Sequence, residues 1–259
     1  MNVLKVLTEA VTSSFRYGHV QIGKLPTYEV PPPATIYGHL AGVLGEWFDP
    51  KGLQFAYVFR HAGKGTDLET AQPIERGSGK PTLRREGWDY PVNVECAPNP
   101  QRREFLLRPR LTLYLRGPHP LLRRFQAAFP NPVYAYVLGR SQDLATCLSA
   151  SPVDLEESVE GFFSHTILPY SWRKWVSPGS TVHLPTAIDY YHQRAAVFEV
   201  YLQVLWPPLR LYRGSQDTIS RDQLPATFPV DRGDNQEFLG RKLSRGLIFH
   251  PLVGPGAPP

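Results

Sequence analysis

Three consecutive prolines, Pro31-Pro32-Pro33, constrain this chain more than any other feature, because each ring locks φ and removes a backbone donor. They make a stiff, extended entry, and proline is tolerated in the first turn of a helix, where its missing N–H has no intrahelical acceptor. The spacing that follows predicts a helix from about Ala34, with Ile36, Leu40, Val43, Leu44 and Trp47 on one apolar stripe. Gly38, Gly42 and Gly45 interrupt that stripe, each at a cost of roughly 0.8–1.0 kcal/mol relative to alanine. Two explanations compete. Glycines could let the helix lie close on a sheet, or they could let a polyanion approach the backbone near the N-terminus, where free N–H groups and the helix dipole attract phosphate.

Around this helix the pattern alternates between strand and helix. Val3 to Val11 and Leu53 to Arg60 read as strands, and Leu111, Leu113 and Leu115 alternate with polar residues as in a half-buried strand. From His119 to Phe129, Leu121, Leu122, Phe125, Ala128 and Phe129 share a helical face, with Arg123, Arg124 and Gln126 turned away. Phe198, Val200, Leu202 and Val204 mark a later strand. The order strand, helix, strand, strand, helix, strand predicts an α+β class and is compatible with a ferredoxin-like sheet backed by helices. Between His61 and Pro100 apolar periodicity fades, apart from alternation at Tyr90, Val92, Val94 and Cys96, so this stretch reads as an inserted, hairpin-like projection. The expected organisation is a core of residues 1–60 and 101–259 with an irregular, β-rich C-terminal part, an insertion over 61–100, and a frayed tail from Gly254. The 27 prolines imply many rigid connections.

A net charge of +5 is a weak pointer to an anionic partner; its distribution says more. Arg102, Arg103, Arg108, Arg110 and Arg116 crowd one stretch, followed by Arg123 and Arg124, whereas Asp154 to Glu160 is acidic. Arg102-Arg103 beside Tyr90 and Phe105 has the composition of a nucleic-acid surface, and equally that of solvated arginines flanking a strand. None of the eight histidines has a partner at metal-site spacing, and neither a phosphate-cradling glycine loop nor a G-x-S-x-G turn occurs, so no metal, cofactor or catalytic set is expected. Glu156 and Glu157 belong to an acidic run that reads as a solvated face. Cys96 and Cys147 form no disulfide framework, and no apolar run approaches the roughly 20 residues needed to cross a bilayer. A soluble protein of the reducing cytoplasm, without a membrane partner, is expected.

Two groups of residues carry a resemblance. Ser14-Phe15-Arg16 is followed by an unbroken run from Leu25-Pro26-Thr27-Tyr28 through Pro31-Pro32-Pro33-Ala34-Thr35-Ile36-Tyr37-Gly38-His39 to Gly45. Further on stand Arg103-Glu104-Phe105-Leu106-Leu107 and Leu138-Gly139-Arg140-Ser141. Together they resemble the Cas-five family of CRISPR-associated proteins, most like type I-B or I-A members, strongly over residues 1 to about 150 and diffusely beyond. The resemblance implies an RRM-like core with a thumb hairpin, here residues 61–100, and a non-catalytic role capping the 5′ handle of the guide RNA (crRNA). Implied partners are the guide, target DNA, and the backbone and large subunits of a type I Cascade complex. By matched position Arg16, Thr35, Tyr37, Gly38, Gly139, Arg140 and Ser141 would face the handle, Tyr37 by stacking, while Phe15 is expected in the core. Arg102 and Arg103 join them as RNA-binding candidates. One branch of the family cleaves precursor RNA without metal, so an endoribonuclease using residues such as Tyr37, His39 and Lys174 is the alternative; a generic basic interaction protein is the third.

Overall fold

The computed structural model describes residues 1–18, 23–71, 74–76, 83–85, 88–90, 93–95, 99–174, 176, 179–189, 195–212, 225–238 and 240–255. The first half runs β1 (Asn2–Ala10), α1 (Pro33–Leu44), β2 (Gln54–Arg60), β3 (Gly63–Ala71), β4 (Asn99–Leu107), β5 (Arg110–Arg116), α2 (His119–Ala128) and β6 (Ala145–Asp154). One antiparallel sheet has the order β6-β1-β5-β2, with His250–Pro251 added at the β2 edge. Both faces of this sheet are covered. Leu4, Val6, Leu111, Leu113, Leu115, Phe55 and Phe59 pack with Ile36, Leu40, Val43, Phe125 and Phe129 of the helical layer, while Val3, Ala56, Val58 and Tyr114 meet Leu155 and Leu247 on the other side. The period-two alternation of β5 therefore buries Leu111, Leu113 and Leu115 on one face and Tyr114 on the other, each large apolar side chain contributing roughly 1.5–3 kcal/mol. The described residues are mostly sheet with two α-helices, a mixed α+β fold.

Helix α1 stops at Gly45, whose φ of 76° is left-handed and whose amide donates to the Ala41 carbonyl at 2.8 Å. A β-carbon there would also lie 2.5 Å from Val133, so two independent reasons require glycine. Gly38 and Gly42 differ: a β-carbon on either would meet nothing within 4 Å, which removes close packing on a sheet as their explanation. Trp47 lies beyond the helix end and is 52% exposed, so the apolar stripe ends at Leu44.

The chain from β3 to β4 forms a hairpin, registered from Gly63 opposite Leu107 to Ala71 opposite Asn99 and continued by Ile74–Arg76 with Asn93–Glu95 and Leu83–Arg85 with Trp88–Tyr90. Among the described residues the arm begins at Gly63 and returns to Leu107. Val92 and Cys96 of the expected alternation lie outside the described residues, as do the last four residues of the tail. At its base β4 also takes up Thr12–Ser13 antiparallel and Lys24–Leu25 parallel.

The second half adds β7 (Glu160–Phe163), β8 (Thr166–Pro169), β9 (Ser180–Asp189), β10 (Ala195–Val204), β11 (Phe228–Phe238) and β12 (Arg241–Gly246). Strands β8, β10 and β9 form one sheet and β11, β12 and β7 the centre of another, around Phe163, Leu168, Trp172, Leu202, Val204 and Phe228. Asp231 of β11 ties this half to the first sheet, accepting from Lys5 Nζ at 2.5 Å and from the Tyr114 hydroxyl at 2.7 Å. No helix among the described residues is long and apolar enough to cross a membrane.

Two polar clamps fix the segment that follows α2. At the first, His39 Nδ1 donates to the Val137 carbonyl at 2.9 Å, which leaves Nε2 to accept from the Tyr136 hydroxyl at 3.1 Å. Burial pushes the His39 imidazole down to about 4, only partly opposed by the Val137 hydrogen bond. The second clamp is Asp143, 1% exposed. It accepts from Thr12 Oγ1 at 2.7 Å, from the Arg140 amide at 2.9 Å, and from Arg140 Nε and Nη2 at 3.0 and 2.9 Å. Burial alone would raise this carboxyl, but the hydrogen bonds from Arg140 and Thr12 outweigh it and hold the group below its usual range.

Each clamp generates a stability prediction. The unfolded state binds a proton at His39 near pH 6.5 and the folded state only near 4, so stability is complete above 6.5 and is lost as pH falls toward 4. In urea titrations, His39→Gln should therefore remove about 2 kcal/mol of the decline between about pH 7 and 5; an unchanged decline would contradict the burial assigned to this ring. Asp143→Ala leaves Arg140 and Thr12 without their acceptor and should cost about 3 kcal/mol by the same measurement, with Asp143→Asn recovering part of that deficit.

Candidate nucleic-acid interface

The Leu138–Ser141 turn, the Ser14–Arg16 segment and the base of the arm meet in one place. Gly139, at φ 122°, lies so close to Ser14 that a β-carbon would come within 2.9 Å of its backbone nitrogen and oxygen. Ser14 Oγ in turn donates to the Glu104 carbonyl of β4 at 2.8 Å. Next to it, the Phe15 amide donates to Thr27 Oγ1 at 2.8 Å and Arg16 bridges Thr27. Glu69 of β3 closes the ring by pairing with Arg103 and approaching Arg140 Nη1 at 4.0 Å.

The start of α1 is not part of this junction. The helix meets the 133–137 segment through its middle and C-terminal end, by His39–Val137 and by the Val133 and Tyr134 amides donating to Val43 and Gly42. Its first turn also offers an anion little. Pro33 has no N–H, and the Thr35 and Ile36 amides both donate to the Pro32 carbonyl, at 2.9 and 3.1 Å. The expected phosphate cradle at the helix start is corrected on that ground; Thr35 is only partly accessible there, and Gly38 instead floors a shallow groove walled by Trp47 and Tyr134.

The candidate side chains divide into two groups. Arg16, Arg102, Gly139 and Ser141 are exposed. Arg103 and Arg140 are not free, since Arg103 pairs with Glu69 and Arg140, 14% exposed, spends Nε and Nη2 on Asp143. Arg140 is thus a staple of the turn, a correction to its expected place facing RNA. Tyr37 needs a second correction: it is 4% exposed, packed against Phe48 and Trp47 at ring separations of 4.8 and 5.8 Å, and its hydroxyl donates to the Phe48 carbonyl at 2.8 Å. No base can stack on it. Phe15 is in the core, edge-on to Phe59. Of the alternative catalytic set, Tyr37 and His39 are buried, and Lys174 is exposed on the short turn Tyr170–Lys174. No group of metal-ligating side chains occurs among the described residues.

Sequence reasoning passed over Lys24 and Lys64, which flank the same junction. Lys24 Nζ sits 2.8 Å from Glu104, and Lys64 Nζ sits 2.9 Å from Glu29 and 3.7 Å from Glu104. The Lys24 hydrogen bond holds the Glu104 carboxyl below its usual range despite partial burial. Only the fold reveals them: Lys24 pairs with Arg102 and Lys64 with Leu106, which sets both lysines against the strand that carries the arginines. The result is a surface with fixed carboxylates below and Arg16, Arg102 and Lys24 outward.

Among solved structures, a chain of a CRISPR RNA-guided surveillance complex is similar at TM-score 0.51 and 16% identity, over 81% of this chain and 91% of that one. Looser likenesses are to a CRISPR protein from Archaeoglobus fulgidus, at TM-score 0.44 and 10% identity over 95% of this chain and 100% of that one, and to a chain in the type III-B Cmr-beta complex bound to cognate target RNA and AMPPnP, at TM-score 0.44 and 7% identity over 80% and 86%. These two are too loose to carry an argument. No protein-family model matches the chain, and no curated protein matches its sequence. The first comparison shows a shared fold across most of both chains.

Proposed function

We propose that this chain is a non-catalytic subunit of a type I CRISPR surveillance complex, most like type I-B or I-A members, that grips the 5′ handle of the guide RNA. The observation that carries the proposal is the fold that 81% of this chain shares with a surveillance-complex chain. The strand order β6-β1-β5-β2, with α1 and α2 as the crossovers, supports a ferredoxin-like, RRM-like core, because two β-α-β units interleaved in one antiparallel sheet give that order. The hairpin from Gly63 to Leu107 is the thumb of this reading, placed to contact the guide–target duplex. The backbone and large subunits are its protein partners.

On this reading the handle lies across Arg16, Lys24, Arg102 and Ser141, with the Gly139 backbone open beside them. Exposed guanidiniums and an ammonium bind phosphates, while the staples at Arg140 and Arg103 hold the surface in shape before RNA arrives. The proposal assigns no catalysis, because a general acid–base pair must reach the scissile phosphate and Tyr37 and His39 cannot.

The test is binding of the purified chain to its cognate handle RNA and to a scrambled RNA of equal length. Preference for the handle is expected, and equal binding would contradict the proposal in favour of a generic basic protein. Arg16→Ala with Arg102→Ala should weaken binding on the order of tenfold and flatten the salt dependence by about 0.7 for each phosphate no longer neutralised. Tyr37→Phe should leave RNA affinity unchanged and lower stability by about 1 kcal/mol. Incubating repeat RNA with the chain in EDTA should give no handle-length product; product that disappears in Lys174→Ala would establish the nuclease instead.

A further inference from the structure

A second cluster of positive charge sits at the end of the first sheet, at the root of the arm. Register sets Glu9, Arg110 and Arg60 side by side across β1, β5 and β2. Like charges directly opposite on neighbouring strands repel. Glu9 pairs with Arg110, but Arg60 reaches only Asp234, at 3.7 Å, and the same aspartate oxygen already accepts from Nε of Arg245. Glu9, Arg60 and Arg110 line one cleft with Ala10, His61, Arg108 and Pro109, so three arginines and a histidine surround one lining carboxylate, with Asp234 a second carboxylate in reach of Arg60.

Backbone strain falls in the cleft itself, and two unmet polar groups are linked to it through Phe59 and Asp234 without lining it. Arg108 and His165 are the non-glycine residues with positive φ among the described residues, at 47° and 56°. Arg108 lines the cleft; His165 does not, but its carbonyl accepts at 2.8 Å from the amide of Phe59, the residue before Arg60. His165 Nδ1 and Arg245 Nη2 are both buried without a hydrogen-bond partner, and Arg245 is 1% exposed. Facing arginines and a left-handed arginine backbone each cost stability, and their coincidence in one cleft marks a site rather than a solvated rim.

We infer that this cleft binds a phosphate of a single-stranded polynucleotide backbone, with Arg60 and Arg108 as the contacting groups and Arg110 held beside them by Glu9. Planar guanidiniums match the geometry of phosphate oxygens. The inference rests on the RNA-binding reading above and extends it along the arm: β4 runs from exposed Arg102 straight into Arg108, so a strand following the arm reaches the cleft about 20 Å further on.

Fluorescence anisotropy of the full chain with labelled handle RNA and scrambled RNA, across a series of salt concentrations, tests this. Arg60→Gln and Arg108→Gly should each weaken both RNAs alike, about fivefold, and lower the salt slope by about 0.7. Arg108→Gly also relieves the left-handed backbone and should raise the thermal midpoint, which a merely structural arginine would not do. Affinity and slope unchanged in both variants, with handle preference intact, would overturn the cleft alone. Weakened binding in both variants without any handle preference in the parent would overturn the handle reading and leave the cleft standing. Displacement of RNA by polyglutamate as effectively as by polyphosphate would overturn the assignment to phosphate.

Discussion

Strand β1 has no free side, and the rest of the structure is arranged around that constraint. It pairs with β5 along one edge and β6 along the other. Leu4 and Val6 point into the helical core, while Val3 points into the opposite layer. Even its polar residues are engaged, Thr8 with the Tyr136 hydroxyl and Lys5 with Asp231. A strand held on two edges and two faces cannot slip by one residue without exposing an apolar set, so its register is firmly specified. The chain leaving it at Val11 enters Thr12–Ser13 against β4 in a defined place, and the arm, the Asp143 clamp and Arg16 are all positioned from there.

The arginines of the interface are organised by carboxylates rather than by one another. Asp143 and Glu69 take Arg140 and Arg103 out of contact with solvent partners, and Glu104 holds Lys24 beside Arg102. Partly buried pairs of this kind contribute modestly to stability but strongly to geometry, because removing one member strands the other. The basic surface is thereby divided into charges that hold it together and charges that face outward. A ligand reaching Arg16 and Arg102 meets a surface that needs little reordering, which preserves binding free energy that a mobile surface would lose.

Much of the architecture was legible because it is local. The alternation at Leu111, Leu113 and Leu115, the amphipathic pattern ending at Phe129 and the proline-led start of α1 each carry their structure within a dozen residues. Strand β6 was not legible, because as an edge strand it exposes Thr146, Leu148, Ser149 and Ser151 and lacks a clean alternation. Tyr37 was misplaced for a different reason. The buried face of α1 includes Ile36, Tyr37, Leu40 and Ala41, a stripe wider than the one traced through Ile36, Leu40 and Val43, since strand β9 covers the helix on a second side. The staple at Arg140 had a signal, a carboxylate three residues on, although only the fold shows that Thr12 completes it. Pairings such as Glu9, Arg110 and Arg60 depend on long-range register and left no mark on the sequence.

Ultraviolet cross-linking of the assembled ribonucleoprotein, read by mass spectrometry on the peptide side and by sequencing on the RNA side, bears most directly on the central claim. The account predicts cross-links from the first nucleotides of the guide to peptides containing Arg16, Lys24, Arg102 and Ser141. Cross-links confined to strands β7 to β12, or arising from the 3′ end of the guide, would contradict it.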